Sequence, residues 1–482
     1  MAKIFTTRIL SCIMYCLVVL AILPDSTVMA SGRSLPLQNL EEEAVQTTVQ
    51  TYNYPRISPR SSDFAVRVNG HEVMVYQTTA GPFAAFSCNG PVTIEVDLLF
   101  GSSKNFYVSP LRHGISSGRE GNTLSFQIPG PQLLVLMADL LPQLYIYANP
   151  LENNPPDPDD ANVIYFREGQ VYEVGDLQLQ SNQTLFIEGG AVVRGAIQAY
   201  SAENVRIAGY GVLDGSYFTR NDRRRTIYFE DCRNSLIEDV IMIEPTSWMI
   251  LLGLSEHITV NNIKQLGYIS TSDGVDVVGS RHIRITNSFL RNGDDCVAIK
   301  SFDISRYESK ATRNLSRNVY DVEVSGCILL SYLGGHAFEI GHELTTDSIY
   351  DIRFRDCDVL GVHDMGGVFG INNCDGAMVT DILYEDIRVE HYYNKLVNLR
   401  VIKSRYHRDE QRGQIRNVTF RNIDVTNSRY NPGYSVSLIG GYNENHTVEN
   451  VLFENFRMNG VKATSGDDIY LFTKQAEGIV FK

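Results

Sequence analysis

Two adjacent carboxylates, Asp294 and Asp295, open the run Asn292-Gly293-Asp294-Asp295-Cys296-Val297-Ala298-Ile299-Lys300, which continues as alternating polar and apolar residues. That pattern places the pair where a turn feeds a strand, at the lip of a sheet. Like charges this close need solvent, a counter-charge or a function. In a shared cleft their repulsion raises one pKa and leaves the partner ionised, which gives the proton donor and the ionised group that cleavage of an acetal requires. An isolated Gly-Asp-Asp is more simply a turn whose side chains bond their own backbone. The repeats around it decide between the two readings.

From residue 162 one phrase recurs: a β-branched or aromatic residue, a polar residue, then Asn, Asp or Gly, then an apolar pair. Its anchors include Ile207, Ile237, Val260, Ile285, Val324, Phe354, Tyr384 and Phe420, at intervals of 23 to 39 residues. One short strand motif per repeat of that length is a solenoid signature, and the period-2 alternation excludes helical repeats. The fold expected is all-β: a right-handed parallel β-helix of about ten coils, with Asn side chains such as Asn287, Asn422 and Asn455 stacked from coil to coil. Asp273 lies thirteen residues after Val260, Asp294 and Asp295 nine and ten after Ile285, and His336 twelve after Val324. Similar offsets on consecutive coils bring three carboxylates and a histidine onto one face, a coincidence that turn chemistry does not explain. The single Trp248, eleven residues after Ile237, falls on the same face and is expected to offer a platform on which a sugar ring stacks.

The rest of the chain frames this unit. Lys3 and Arg8, the apolar run Ile9 to Leu23 and Val28-Met29-Ala30 read as a secretory signal over residues 1–30, so the mature protein is expected to be secreted or periplasmic and not membrane-bound. Residues 31–50 are polar and aperiodic, as in a disordered leader. Short alternating runs over 51–152 predict a small antiparallel β-sandwich, and the Pro- and Asp-rich stretch 153–161 a linker to the catalytic unit over 162–482. Six cysteines outside the signal fall mostly at apolar strand positions and carry no assigned pairing. The 42 Lys and Arg against 56 Asp and Glu give a net charge of −14 with no dense basic cluster, which argues against nucleic acid. The expectation is a monomer acting on a polysaccharide or oligosaccharide. An acidic protein can hold an acidic glycan only by concentrating positive charge locally.

Thr271-Ser272-Asp273-Gly274-Val275-Asp276, Gly293-Asp294-Asp295-Cys296-Val297-Ala298-Ile299 and Gly335-His336-Ala337-Phe338-Glu339-Ile340-Gly341 resemble three of the four signature motifs of glycoside hydrolase family 28, the polygalacturonases. The resemblance runs from about residue 162 to the end and implies an inverting hydrolase of α-glycosidic bonds in a pectin-type substrate, needing no cofactor or metal. It makes Asp294 the general acid, has Asp273 and Asp295 activate a water, and gives His336 a supporting role to the acid or substrate. Inversion needs acid and base on opposite sides of the bond, roughly 6.5 to 9.5 Å apart. The family's fourth motif, a basic Arg-Ile-Lys on the coil after the histidine, is replaced by Gly366-Gly367-Val368-Phe369-Gly370-Ile371. Lys300, Arg400 and Lys403 are the substitute cations and Glu343 a further cleft group. An uncharged floor points to a neutral sugar, as in the dextranase-type β-helix hydrolases, which also carry a sandwich in front. A non-catalytic carbohydrate-binding solenoid is the third possibility.

Overall fold

The computed structural model describes residues 47–101, 103–139, 141–306, 311, 313–427 and 435–482. The signal segment and most of the leader lie outside them. Val49 and Gln50, placed in the leader by composition, belong instead to the edge strand Val49–Thr51, paired with Gly81–Cys88, because Val49 packs against the sandwich core. No helix among the described residues is long and apolar enough to cross a membrane.

Residues from Val163 onward build one sheet of 30 strands in a parallel β-helix of about ten coils; most coils carry three strands, and from Met378 two faces of a coil share one long strand, as in Met378–Val389. Except for the short Val461–Lys462, which folds back antiparallel on Val448–Met458, the strands pair in parallel with the equivalent strands of the next coil, as Val275–Val278 does with Val297–Ser301, and that strand with Phe338–Leu344. The coils hold together through turns of fixed conformation. One residue at the corner between the second and third faces of a coil is left-handed at Asp239, Asn262, Asn287, Gly326, Asp356, Asp386, Asn422 and Asn455, with φ between +46° and +69°. Asn, Asp and Gly adopt that conformation at least cost, which is why the recurring phrase carries them there. Their side chains bond along the stack, Asn455 Nδ2 to Asn422 Oδ1 and Asn422 Nδ2 to Asp386 Oδ1, both at 2.9 Å. Asn287 also bonds to the preceding coil, but to Asn261 Oδ1, the residue before Asn262. Inside, the anchors stack: Phe354, Tyr384, Phe420, Phe453 and Phe481 lie ring on ring at 4.6 to 5.0 Å.

The preceding region is a sandwich of a five-stranded and a six-stranded sheet. All its strand pairs are antiparallel except Leu144–Asn149 on Gly81–Cys88, whose long connection through the other sheet permits a parallel pairing. Alternate residues of Gly81–Cys88 face opposite ways: Ala84 and Phe86 enter the sandwich core, while Phe83 and Ala85 face the β-helix. There they meet Tyr210, Ile241, Ile243, Leu266, Phe289, Ile328 and Leu330 on the third face of the coils. This apolar seam makes Thr47–Lys482 one compact unit. The six cysteines of that unit are buried and free.

Candidate active site

Ile250–Gly253, Val275–Val278, Val297–Ser301, Phe338–Leu344, Gly367–Asn373 and Lys395–Val401 follow one another in register and form the floor of a cleft. The chain enters each floor strand through a turn from the third face. Because those turns recur at one phase, Trp248, Asp273, the pair Asp294 and Asp295, and His336 arrive side by side on successive coils. All of them line one cavity of about 520 Å³, together with Lys300, Glu343 and Arg400. Lys403 does not line it and pairs with Glu410 at 2.6 Å.

The acids are differentiated by their surroundings. Burial, and then the charges of Asp273 and Asp295, push the Asp294 carboxyl up to about 10, so it holds its proton at neutral pH. Asp295 is pushed the other way overall: burial opposes its charge, but hydrogen bonds and charge from His336, with Lys300 beyond, keep it below the usual carboxylate range. The His336 backbone N–H donates to Asp295 Oδ1 at 2.6 Å. Burial raises Asp273 against the pull of Lys300, whose ammonium sits 2.8 Å from Asp273 Oδ2 and 2.7 Å from Asp276 Oδ1. Asp273 Oδ1 is buried and has no hydrogen-bond partner among the described residues. His336 Nδ1 lies 3.3 Å from both Asp295 Oδ1 and Glu339 Oε2. Burial disfavours its charge, yet Glu339 and Asp295 raise its pKa. A protonated Asp294 beside an ionised Asp295 is the division of labour that general acid catalysis with an activated water requires.

Two of these partners, Asp276 and Glu339, sit inside the quoted motifs but carry no site signal of their own. Both are wholly buried, and their spacing alone does not separate them from core-facing strand residues. From the sequence, Lys300 is a substitute cation for the groove. It borders the cavity, but its ammonium is committed to Asp273 and Asp276 and lies 4.0 Å from the Trp248 ring centroid, which Arg225 also approaches at 4.7 Å. The Trp248 π-system is thus engaged by two cations.

The charge of the cleft differs from the sequence expectation. The floor beside His336 is uncharged at Gly370, where an added Cβ would meet Glu339 Oε2 at 2.0 Å, so the buried Glu339 carboxyl fills the space a longer side chain would need. Arg223 and Arg225 line one end of the cavity and Lys395, Arg400 and Arg405 the other. Arg400 reaches it because its neighbour in register on the preceding coil is the short Asn372. Among the described residues Arg223, Lys395, Arg400 and Arg405 form no ion pair. The loops that bring Arg223, Arg225 and Arg405 connect strands at lengths that vary from coil to coil, and a sequence period carries no information about where such loops fold.

A family model described as glycosyl hydrolases family 28 matches residues 175–466. An Aspergillus niger protein provisionally named galacturan 1,4-alpha-galacturonidase C is 22% identical over 284 residues, 53% of this chain and 59% of that protein. An Arabidopsis thaliana protein provisionally named a polygalacturonase is 21% identical over 217 residues, 44% and 43% of the two chains. The chain thus spans about half the length of the curated relatives it matches. Among solved structures, Dex49A from Penicillium minioluteum superposes over 89% of this chain and 96% of its own, with a TM-score of 0.57 at 12% identity. A hyperthermoactive exopolygalacturonase from Thermotoga maritima gives 0.51 at 19% identity over 66% and 85%. At those identities the likeness is one of fold.

Proposed function

Since the chain belongs to the glycosyl hydrolases of family 28, we propose that it is an exported, inverting hydrolase of α-glycosidic bonds in an anionic, pectin-type glycan. The observation that carries the substrate class is the distribution of charge: in a protein of net charge −14, Arg223 and Arg225 stand on one side of the three aspartates and Lys395, Arg400 and Arg405 on the other. Of these, Arg223, Lys395, Arg400 and Arg405 form no ion pair among the described residues, and such cations at the rim of a desolvated cleft are matched by uronate carboxylates on either side of the bond to be cut. The names of both curated relatives agree with this reading. Asp294 then donates its proton to the leaving oxygen, while Asp273 and Asp295 take one from the attacking water. The apolar run expected as a signal over residues 1–30 supports export.

A neutral α-glycan is the second reading, favoured by one feature: the Glu339 carboxyl under Gly370 would repel a uronate lying directly against His336. Polygalacturonate and a panel of neutral oligosaccharides, assayed at low and high salt, separate the two. Rapid, salt-inhibited cleavage of polygalacturonate supports the anionic reading, and cleavage of neutral oligosaccharides alone removes it. NMR of the first product should show the inverted anomer; a retained one rules the mechanism out. Asp294→Asn is expected to lower kcat by at least the 10²–10⁴-fold typical of lost general acid catalysis, with substrate binding kept.

A further inference from the structure

Each strand of the third face runs directly into a turn that carries a cleft residue, and the sandwich packs against that face. Arg291 is where these features meet. It sits three residues before Asp294, at the end of the third-face strand Phe289–Asn292, and is 5% exposed. From Nη1 it donates to the carbonyl of Gly267, which opens the turn carrying Asp273. From Nε it donates to the phenol oxygen of Tyr145, in sandwich strand Leu144–Asn149, at 3.2 Å. Its guanidinium carbon lies 4.6 Å from the ring centroid of Tyr332, which opens the turn carrying His336. Among the described residues it forms no ion pair. A buried cation held only by a carbonyl, a phenol and a π-face is a costly way to fill space, and an apolar side chain would serve packing alone better.

We propose that Arg291 is a positioning residue that fixes the three turns bearing Asp273, Asp294 and His336 relative to one another, and that the sandwich enters the catalytic scaffold through Tyr145. The inference rests on the reading that those turns do the chemistry. A misplacement of about 1 Å between reacting groups can cost about 10²-fold in rate, so a guanidinium touching two of the turns and preceding the third has leverage without touching substrate.

The test uses the full chain, with Tyr145→Phe, Arg291→Met and Arg291→Lys compared at a temperature where each is folded. Tyr145→Phe keeps the ring packed on Phe289 and removes only the hydroxyl. It is expected to lower kcat several-fold with KM within about twofold, and to move the alkaline limb of the pH profile. Arg291→Met is expected to approach about a 10²-fold loss, with Arg291→Lys in between. Wild-type kcat and pH profile in folded Tyr145→Phe, or a lowered melting temperature with unchanged kcat in Arg291→Met, overturns the proposal. If Arg291→Met does not fold, Tyr145→Phe decides. If the wild type turns over no substrate of the panel, the functional reading has failed on its own. The Asp294 carboxyl, followed by ¹³C NMR and assigned with Asp294→Asn, then gives the answer: its titration should shift in Tyr145→Phe, and an unchanged titration refutes the positioning role.

Discussion

Lys300 holds Asp273 and Asp276 at once, and that arrangement decides how the residues of the cleft respond to change. Burial works against its ammonium, but the two carboxylates more than compensate and keep it charged. Lys300→Met would leave two buried carboxyls without a cation, a loss that costs about 3–5 kcal/mol in comparable pairs, readable as a lower urea midpoint and accompanied by loss of turnover. Asp294 behaves in the opposite way. Its pKa is raised to about 10 in the folded chain, so its contribution to stability is full below the unfolded value and is lost as pH rises towards 10. At pH 7 the unfolded state has already released that proton, so Asp294→Asn is expected to raise the melting temperature while abolishing activity, the trade-off of a strained functional site. A lower melting temperature would show that Asp294 is held by favourable contacts. The same shift predicts an alkaline limb in the kcat profile far above the carboxylate range. Asp273, Asp294, Asp295 and His336 were legible in the sequence because chemistry and phase coincided at them. Asp276 and Glu339 were not, since a buried carboxyl on a strand looks like any other inward residue until its partner is located.

At the scale of elements, the turns were readable and the long loops were not. The left-handed column demanded Asn, Asp or Gly at fixed phase, so the register of the coils was written in residue types. Asn422 tests this column: its φ is +53°, and it accepts from Asn455 while donating to Asp386. Asn422→Val puts a β-branched residue in that conformation and removes both bonds, for an expected loss of about 2 kcal/mol or more, whereas Asn422→Gly should stay within about 1 kcal/mol of wild type. Equal destabilisation by the two would place the cost in the side-chain bonds alone. The floor strands carry a second constraint. At Gly370 even a methyl group would meet Glu339 Oε2 at 2.0 Å and His336 Cδ2 at 2.6 Å. Gly370→Ala should therefore displace His336 and lower kcat more than it lowers stability. The loop connecting Val401 to Gln414 supplies Arg405 without obeying either constraint. It is pinned by Arg408 on Glu343 at 3.0 Å and by backbone N–H groups on Asp375, contacts between coils that no local pattern announces.

The whole molecule behaves as one unit because the sandwich covers an apolar face that the β-helix cannot leave in water. The Pro-rich stretch 153–161 says nothing about the seam, since Phe83 or Tyr145 reads simply as a strand residue. One titrating contact makes the seam measurable. Glu390, on the β-helix, accepts hydrogen bonds from Ser109 Oγ and from the Leu111 backbone N–H of the sandwich. Burial pushes its carboxyl up to about 7 despite those bonds. A carboxyl raised in the folded state contributes stability that is full below its unfolded value of 4.5 and is lost as pH rises through about 7. At 1.36 kcal/mol per pKa unit the loss is at most about 3 kcal/mol. Trp248, the only tryptophan, lies in the β-helix and reports its unfolding by fluorescence. If the two parts unfold together, the urea midpoint seen by Trp248 should fall between pH 5 and pH 8 in the wild type, and Glu390→Gln should flatten that dependence. A Trp248 transition whose pH dependence is the same in Glu390→Gln would mean that the seam opens without the β-helix sensing it, and the sandwich would then be a separate folding unit.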